Sequence, residues 1–440
     1  MSEANATMSA VLDLHDAGIR LWHQDDCIVS PGYVWFDEQR YHYGSPAVHT
    51  ARRQPRAVNT RFWWQLSTQA LTPALGPARH SADLVHKHLQ TLHHGAGEPH
   101  AVTLIAPGSM SREQLSLLLG IIGTLPFAID AIVHRSALAA AAHSSQALTA
   151  SGSGVHIELQ LHQMLITETR WQDTAASVES SQALPGLGLI HLMDQLAGAI
   201  AEQFVLQTRF DPSRRAESEQ TLYDALPALL ADVHLKGETR LTIDGYQARI
   251  AAEHLQAIGR RLGHQITQHI ASLVATADLT LLLDPVLMRI PGLVLAGHVI
   301  EVTPESLLTP ISTHGEALRQ APEDLVFQTR VPISRSQQAS GSATADSGAG
   351  VSAASIPARD TPQPPTHLLF GHTAQALGER ITLDGGAELV LEQGVFSLRG
   401  DVALDLLVNG EPAHSGQLLA AGDQLTDSLG FAAQLIIVEH

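Results

Sequence analysis

A chain of 440 residues with 44 Asp+Glu against 26 Lys+Arg has a formal net charge of −18, and 44% of it is hydrophobic. Such a composition supports packed cores, excludes global disorder and argues against a broadly basic, nucleic-acid-binding face. One cysteine, Cys27, rules out an intrachain disulfide framework and a Cys-rich zinc site. The opening MSEANATMSA lacks the basic-then-apolar order of a signal peptide, and no apolar run reaches the ~20 residues that span a bilayer. The expectation is a cytoplasmic protein with no membrane span and no nucleic-acid partner.

In chain order, the first conspicuous segment is HTARRQPRAVNTRFWW, the only dense basic run. Its Arg52, Arg53, Arg56 and Arg61 are candidates for docking an acidic protein partner, against the plainer reading of a solvated loop. Trp22, Trp63 and Trp64 are expected to serve core packing rather than ligand stacking. A helix in LVHKHLQTLHHG carries His86, His88, His93 and His94. Zinc on a helix favours histidines four apart, no pair here has that spacing, and a solvated helix end is expected instead, with no metal.

Strand and helix signals then alternate. Ala101–Pro107 reads as a buried strand, Ser111–Gly123 as a helix capped by Ser111, Phe127–Val133 as a strand and Ala137–His143 as helical. Gly154–Thr169 alternates like a half-buried strand or hairpin, Gly186–Gln207 reads as a long amphipathic helix and Ala275–Pro285 as a buried strand. This is α/β patterning. From 334 to 366 the chain is Ser, Ala, Gly and Pro without an aromatic residue, which predicts a flexible, protease-sensitive tether. It divides a body at 1–333 from a short module of Gly-punctuated strands at 367–440.

The run VTLIAPGSMSREQLSLLLGIIGTLPFAIDAIVHRSALAAAA, together with Gly44, Ala47, Pro55, Asn59, Thr60 and Phe62, with Arg289-Ile290-Pro291 and with EVTPESL, resembles the nucleotide-binding domain of the seventy-kilodalton heat-shock chaperones in the actin-like ATPase superfamily. The resemblance implies a two-lobed α/β fold over about residues 9–308, with ATP and magnesium held between two glycine-rich phosphate hairpins and an adenosine loop. Carried onto this chain, the nucleotide-binding remnant is Asp13, His15, Asp16, Glu158, Asp284 and Arg289. The departures are concentrated there. His15 stands in place of the turn glycine of the first hairpin and Asp16 in place of its hydroxyl residue. Glu158-Leu159-Gln160-Leu161-His162-Gln163 replaces the second hairpin without any of its glycines. The catalytic lysine would fall near Trp64 or Gln65, and there is no lysine. A carboxylate at Asp16 opposes phosphate by ~1 kcal/mol in water and by more when buried.

The tail, through Val408-Asn409-Gly410, Leu419, Gly422-Asp423 and the closing Leu435–Glu439, resembles a forkhead-associated β-sandwich. Arg380 and Arg399 do not fall in that family's phosphothreonine motifs. The expectation is a catalytically degenerate, actin- or heat-shock-like protein, with no cofactor, that works as a protein-binding or scaffold component. The alternatives are an ATP-binding chaperone or filament-forming ATPase with an atypical site, and a small-molecule kinase relic. A homo-oligomer stays open, and no partner is named by the sequence.

Overall fold

The computed structural model describes residues 10–146, 152–172, 174–273, 279–321 and 324–333, and within 367–440 mainly the strands. The chain divides into units Met1–Ser340 and Gly341–His440, a division that falls inside the expected tether; that stretch, 334–366, lies outside the described residues.

The first unit is mixed α/β and is built on two six-stranded sheets with a shared plan. In the first, Ala10–Asp13, Ile19–His23 and Asp26–Ser30 form an antiparallel meander. Ala101–Ala106 then pairs parallel with Ala10–Asp13, and Ala128–His134 with Ala101–Ala106. In the second, Gly152–Leu159, Gln163–Gln172 and Ala175–Pro185 form the meander; Thr280–Leu283 adds in parallel to Gly152–Leu159, and His298–Glu301 to Thr280–Leu283. The closing chain stitches the two together. Phe327–Gln328 pairs with Ala128–His134, and Arg330–Pro332 with Ala175–Pro185.

The period of two along a strand sorts side chains into layers. Ala10, Leu12, Val102 and Leu104 face the helices Ser81–Gly95 and Arg112–Ile122. Val155, Ile157, Leu281 and Leu283 face the helices Leu189–Thr208, Ala216–Lys236 and Ala252–Leu273. Their alternates, Val11, Ile105, Val133 and Leu282, join Trp171 and Ala137 to Ala141 in a third core between the sheets. The Arg135–Ala142 helix runs through this middle layer and is buried from Arg135 to Ala141. Alanines suit the position, because a helix contacted on all sides has room only for short side chains.

The expected elements appear with small shifts of boundary, except that of the expected Ala275–Pro285 strand only Thr280–Leu283 is a strand and 275–278 lie outside the described residues. Ser111 caps the Arg112–Ile122 helix by accepting from the Gln114 N–H, while Gln114 reaches back to the Ser111 N–H at 3.0 Å. Gly154–Thr169 is a hairpin, but one buried on both faces rather than one. The histidine-bearing helix also differs from the expected solvated end. His88 and His93 are buried; His88 stacks on Tyr43, and His93 on Phe127. The His88 ring nitrogens are engaged by Trp63 Nε1 at 3.0 Å and by Ser30 Oγ at 2.7 Å. Among the described residues no group of His, Cys, Asp and Glu is placed to hold a metal ion. No described helix is long and apolar enough to cross a membrane.

The described residues of the second unit are mainly strand, in an antiparallel six-stranded sheet and a four-stranded one. Val408 and Glu411 pair, and Leu425 and Leu435 are buried; Asn409, Gly410 and Gly422 lie outside the described residues.

Two glycines test this layering. A Cβ at Gly154 would collide with the ring of Trp171, whose Nε1 donates to Ala140 O at 2.7 Å, whereas a Cβ at Gly120, in the Arg112–Ile122 helix, meets nothing within 4 Å. Gly154→Ala is expected to cost about 1–3 kcal/mol in urea unfolding, and Gly120→Ala to add about 0.4–1 kcal/mol.

Candidate functional site

Four strand ends meet in the middle layer. Asp13 closes the first strand of the first sheet and shares the inner face with Val11. Glu158, with His156, lies on the inner face of the first strand of the second sheet, and Asp284 follows Thr280–Leu283. Arg135 begins the helix after Ala128–His134. In open α/β sheets, ligands bind outside these carboxyl ends of strands. Here the chain's own side chains fill the position.

Arg135 is 1% exposed and contacts three carboxylates. Its Nε lies 3.3 Å from Asp13 Oδ2, and its Nη1 lies 3.3 Å from both Glu158 Oε1 and Asp284 Oδ1. His15 Nε2 contacts Asp284 Oδ2 at 3.0 Å. The backbone amides of the second hairpin are also committed. Leu159 N–H donates to Asp284 Oδ2 and Leu161 N–H to Asp16 Oδ1, each at 2.8 Å. The side chains of Asp16 and Asp284 thus take up amides of the turn that the resemblance assigns to phosphate.

The electrostatics follow from burial and this pairing. Desolvation and Arg135 oppose charge on His15, but Asp284 and Glu158 outweigh them and raise its pKa above the usual 6.5. Burial raises Glu158 against the pull of Arg135 and His15, and burial likewise raises Asp16. Asp284 moves the other way: despite burial, Arg135 and His15 hold it well below the usual carboxylate range. Burial and the nearby Arg135 push His156 down to about 3.

Ser136, His156 and Glu158 together invite a hydrolytic reading. Ser136 Oγ is 2.9 Å from His156 Nδ1 and 3.2 Å from Glu158 Oε2. Both partners address the one hydroxyl instead of forming a relay, and all three residues have no exposed surface, so no substrate reaches the serine.

Beside the cluster, Trp64 stacks on His162 with ring centroids 5.3 Å apart, and its Nε1 donates to Gln163 Oε1 at 2.9 Å. Gln163 continues to Gln160 at 2.7 Å, and Ser109 to Gln160 at 3.1 Å. Gln65 is exposed. An indole–imidazole seam therefore joins the first sheet's side to the second hairpin where the resemblance would put a lysine.

Of the six remnant residues, the structure brings together Asp13, His15, Asp16, Glu158 and Asp284. Arg289 is exposed at the end of the short Pro285–Met288 helix and joins none of the cluster's ion pairs. Arg135, Ser136 and His156 were not singled out in the sequence. The one usable signal was a charged residue before an Ala-rich helix that otherwise reads as buried. The basic run separates likewise. Arg53, Arg56 and Arg61 are exposed. Arg52 instead faces inward, its Nη1 lying 3.7 Å from Glu219 Oε1, its Nη2 pairing with Asp194, and its guanidinium 3.6 Å above the Tyr223 ring. Trp22 and Trp63 are core residues, as expected.

No family model matches the chain, and no curated protein matches it.

Removing the guanidinium strands buried carboxylates. Arg135→Met is expected to cost about 3–5 kcal/mol in urea unfolding, and Arg289→Met less than about 0.5 kcal/mol. His15 supplies a pH signature. Its folded-state pKa is raised, so its contribution is complete below the unfolded value of 6.5 and is lost as pH rises through the folded value. The stability gap between the protein and a His15→Gln variant is expected to be largest below the unfolded value of 6.5 and to shrink as pH rises above it.

Proposed function

We propose that this chain is a catalytically degenerate, two-lobed actin- or heat-shock-like protein that binds or organises other proteins. The observation that carries the reading is the internal occupation of the strand-end site: Arg135 stands among the carboxylates of Asp13, Glu158 and Asp284, and hairpin amides hold Asp16 and Asp284. Phosphoryl transfer depends on free amides and a bound cation positioned at the phosphates. In this reading both roles have been taken over by side chains that stabilise the fold. The repeated strand order of the two sheets supports the two-lobed fold.

The tail is proposed to be a forkhead-associated-like sandwich that contacts its partner without phosphate. Its two arginines sit on different strands, Arg399 in register with Glu388 and Arg380 with Val390, and neither falls in that family's phosphothreonine motifs. A tether between two contact modules raises the effective concentration of the second once the first is bound.

The test is MgATP added to the purified full chain. The expected outcome is no concentration-dependent rise in Tm and no phosphate release above background. Magnesium-dependent turnover that disappears in Asp13→Ala would overturn the reading and restore the atypical ATPase.

A further inference from the structure

A cavity of about 520 Å³ lies beside the buried ion cluster, between the His49–Thr60 segment and the helices Leu189–Thr208 and Ala216–Lys236. Its volume falls within the ~300–1,000 Å³ of small-molecule sites. The walls are largely apolar, with Ala51 and Val58 on one side, Met193 and Leu226 on the other, and Leu161 of the second hairpin.

The polar groups in the lining are almost all committed. Gln220 accepts from the Arg52 N–H at 2.8 Å and donates to Val48 O at 3.1 Å and to Asp224 Oδ1 at 2.8 Å. Asp224 also meets His49 at 2.8 Å. Thr60 Oγ1 contacts His162 Nε2 at 3.0 Å. Arg52 is shared between Asp194, Glu219 and the face of Tyr223. Tyr33 is the exception, since its hydroxyl has no hydrogen-bond partner among the described residues. Burial pushes that hydroxyl up to about 12, so it remains a donor across the ordinary pH range. The charged residues of the lining are two carboxylates, Glu219 and Asp224, against one guanidinium, Arg52. That balance disfavours an anion.

We propose that this cavity is a binding site for a small, mainly apolar molecule that carries a hydrogen-bond acceptor for the Tyr33 hydroxyl and no negative charge. The His49–Thr60 segment acts as its roof. Arg52 and His49 fasten that roof to Asp194, Glu219 and Asp224 on the two helices. The inference stands apart from the lost nucleotide chemistry, because the cavity walls do not include Asp13, Arg135, Glu158 or Asp284.

The probe is Nile red, a neutral dye with one carbonyl acceptor, titrated by fluorescence into the full chain. A blue-shifted, saturable signal with one site per chain is expected. Ala51→Trp and Met193→Trp fill the cavity from opposite walls and should abolish that signal while circular dichroism and Tm stay native. Tyr33→Phe keeps the shape and loses the donor, so affinity should fall about threefold to tenfold. The sulfonated dye anilinonaphthalene sulfonate should bind at least about tenfold more weakly than Nile red, since a buried anion facing carboxylates is disfavoured. MgATP should not displace Nile red, which separates this site from a surviving nucleotide site. Absence of saturable binding overturns the proposal. So does binding that survives Tyr33→Phe and both filling variants, or displacement by MgATP.

Discussion

The first unit is organised around one buried guanidinium. Three carboxylates arrive at the middle layer on strand ends, and each would be costly to desolvate alone. Arg135 makes their convergence possible, because a planar guanidinium can address several carboxylate oxygens at once. The positions of the strands and of the helix are coupled through it: Asp13 belongs to the first sheet, Glu158 and Asp284 to the second, and Arg135 to the Arg135–Ala142 helix between them. Moving either sheet relative to the helix would break an ion pair in a place where water cannot replace it. Breaking such a pair costs far more than forming it gains, so the arrangement acts as a lock on geometry more than as a source of net stability.

That lock fills the middle layer with the chain's own charged side chains. A phosphate site needs unpaired amides and a cation exchangeable with solvent. Here amides of the second hairpin bind Asp16 and Asp284, and the cation is covalently part of the chain. The Trp64–His162 stack and the Gln160–Gln163 contact close the neighbouring space. The same closure has another consequence farther out. With the floor occupied, the space between the His49–Thr60 segment and the two long helices is walled mainly by apolar side chains, and Arg52 ties its edges together. The polar interior and the apolar cavity are thus adjacent and chemically opposite.

The histidines show how burial decides the role of a residue type. His88 is wedged among Tyr43, Phe62 and Trp63 with both ring nitrogens used, and burial pushes it down to about 3. His134, stacked on Phe327, is lowered to about 4 for the same reason. His15, equally buried, shifts upward because a carboxylate lies against it. Neutral buried histidines favour the folded state as pH rises from the acid side, while His15 favours it at lower pH. The protein's pH response is therefore a sum of opposing contributions set by neighbours, not by histidine content.

The sequence by itself determined the layer chemistry. The continuous apolar run of Ala101–Ala106, the alternation in Gly154–Thr169, the Ser111 cap and the Ala-rich stretch after Arg135 fixed strands and helices to within a few residues, because apolar patterning and capping are local properties. Asp13, Asp16, Glu158 and Asp284 were marked only by the resemblance, which carried them over as a nucleotide-binding remnant. The tertiary structure alone decided what they pair with. Arg135 is 122 residues from Asp13 and 149 from Asp284, and it reaches both only once the strands have paired and the helix has entered between the sheets. Nothing local distinguishes Arg52 from Arg53, and only the Ala-rich stretch after Arg135 separates it locally from Arg289. One arginine of each pair faces inward and the other is exposed, because the long-range packing of neighbouring elements sets which face of a turn is covered.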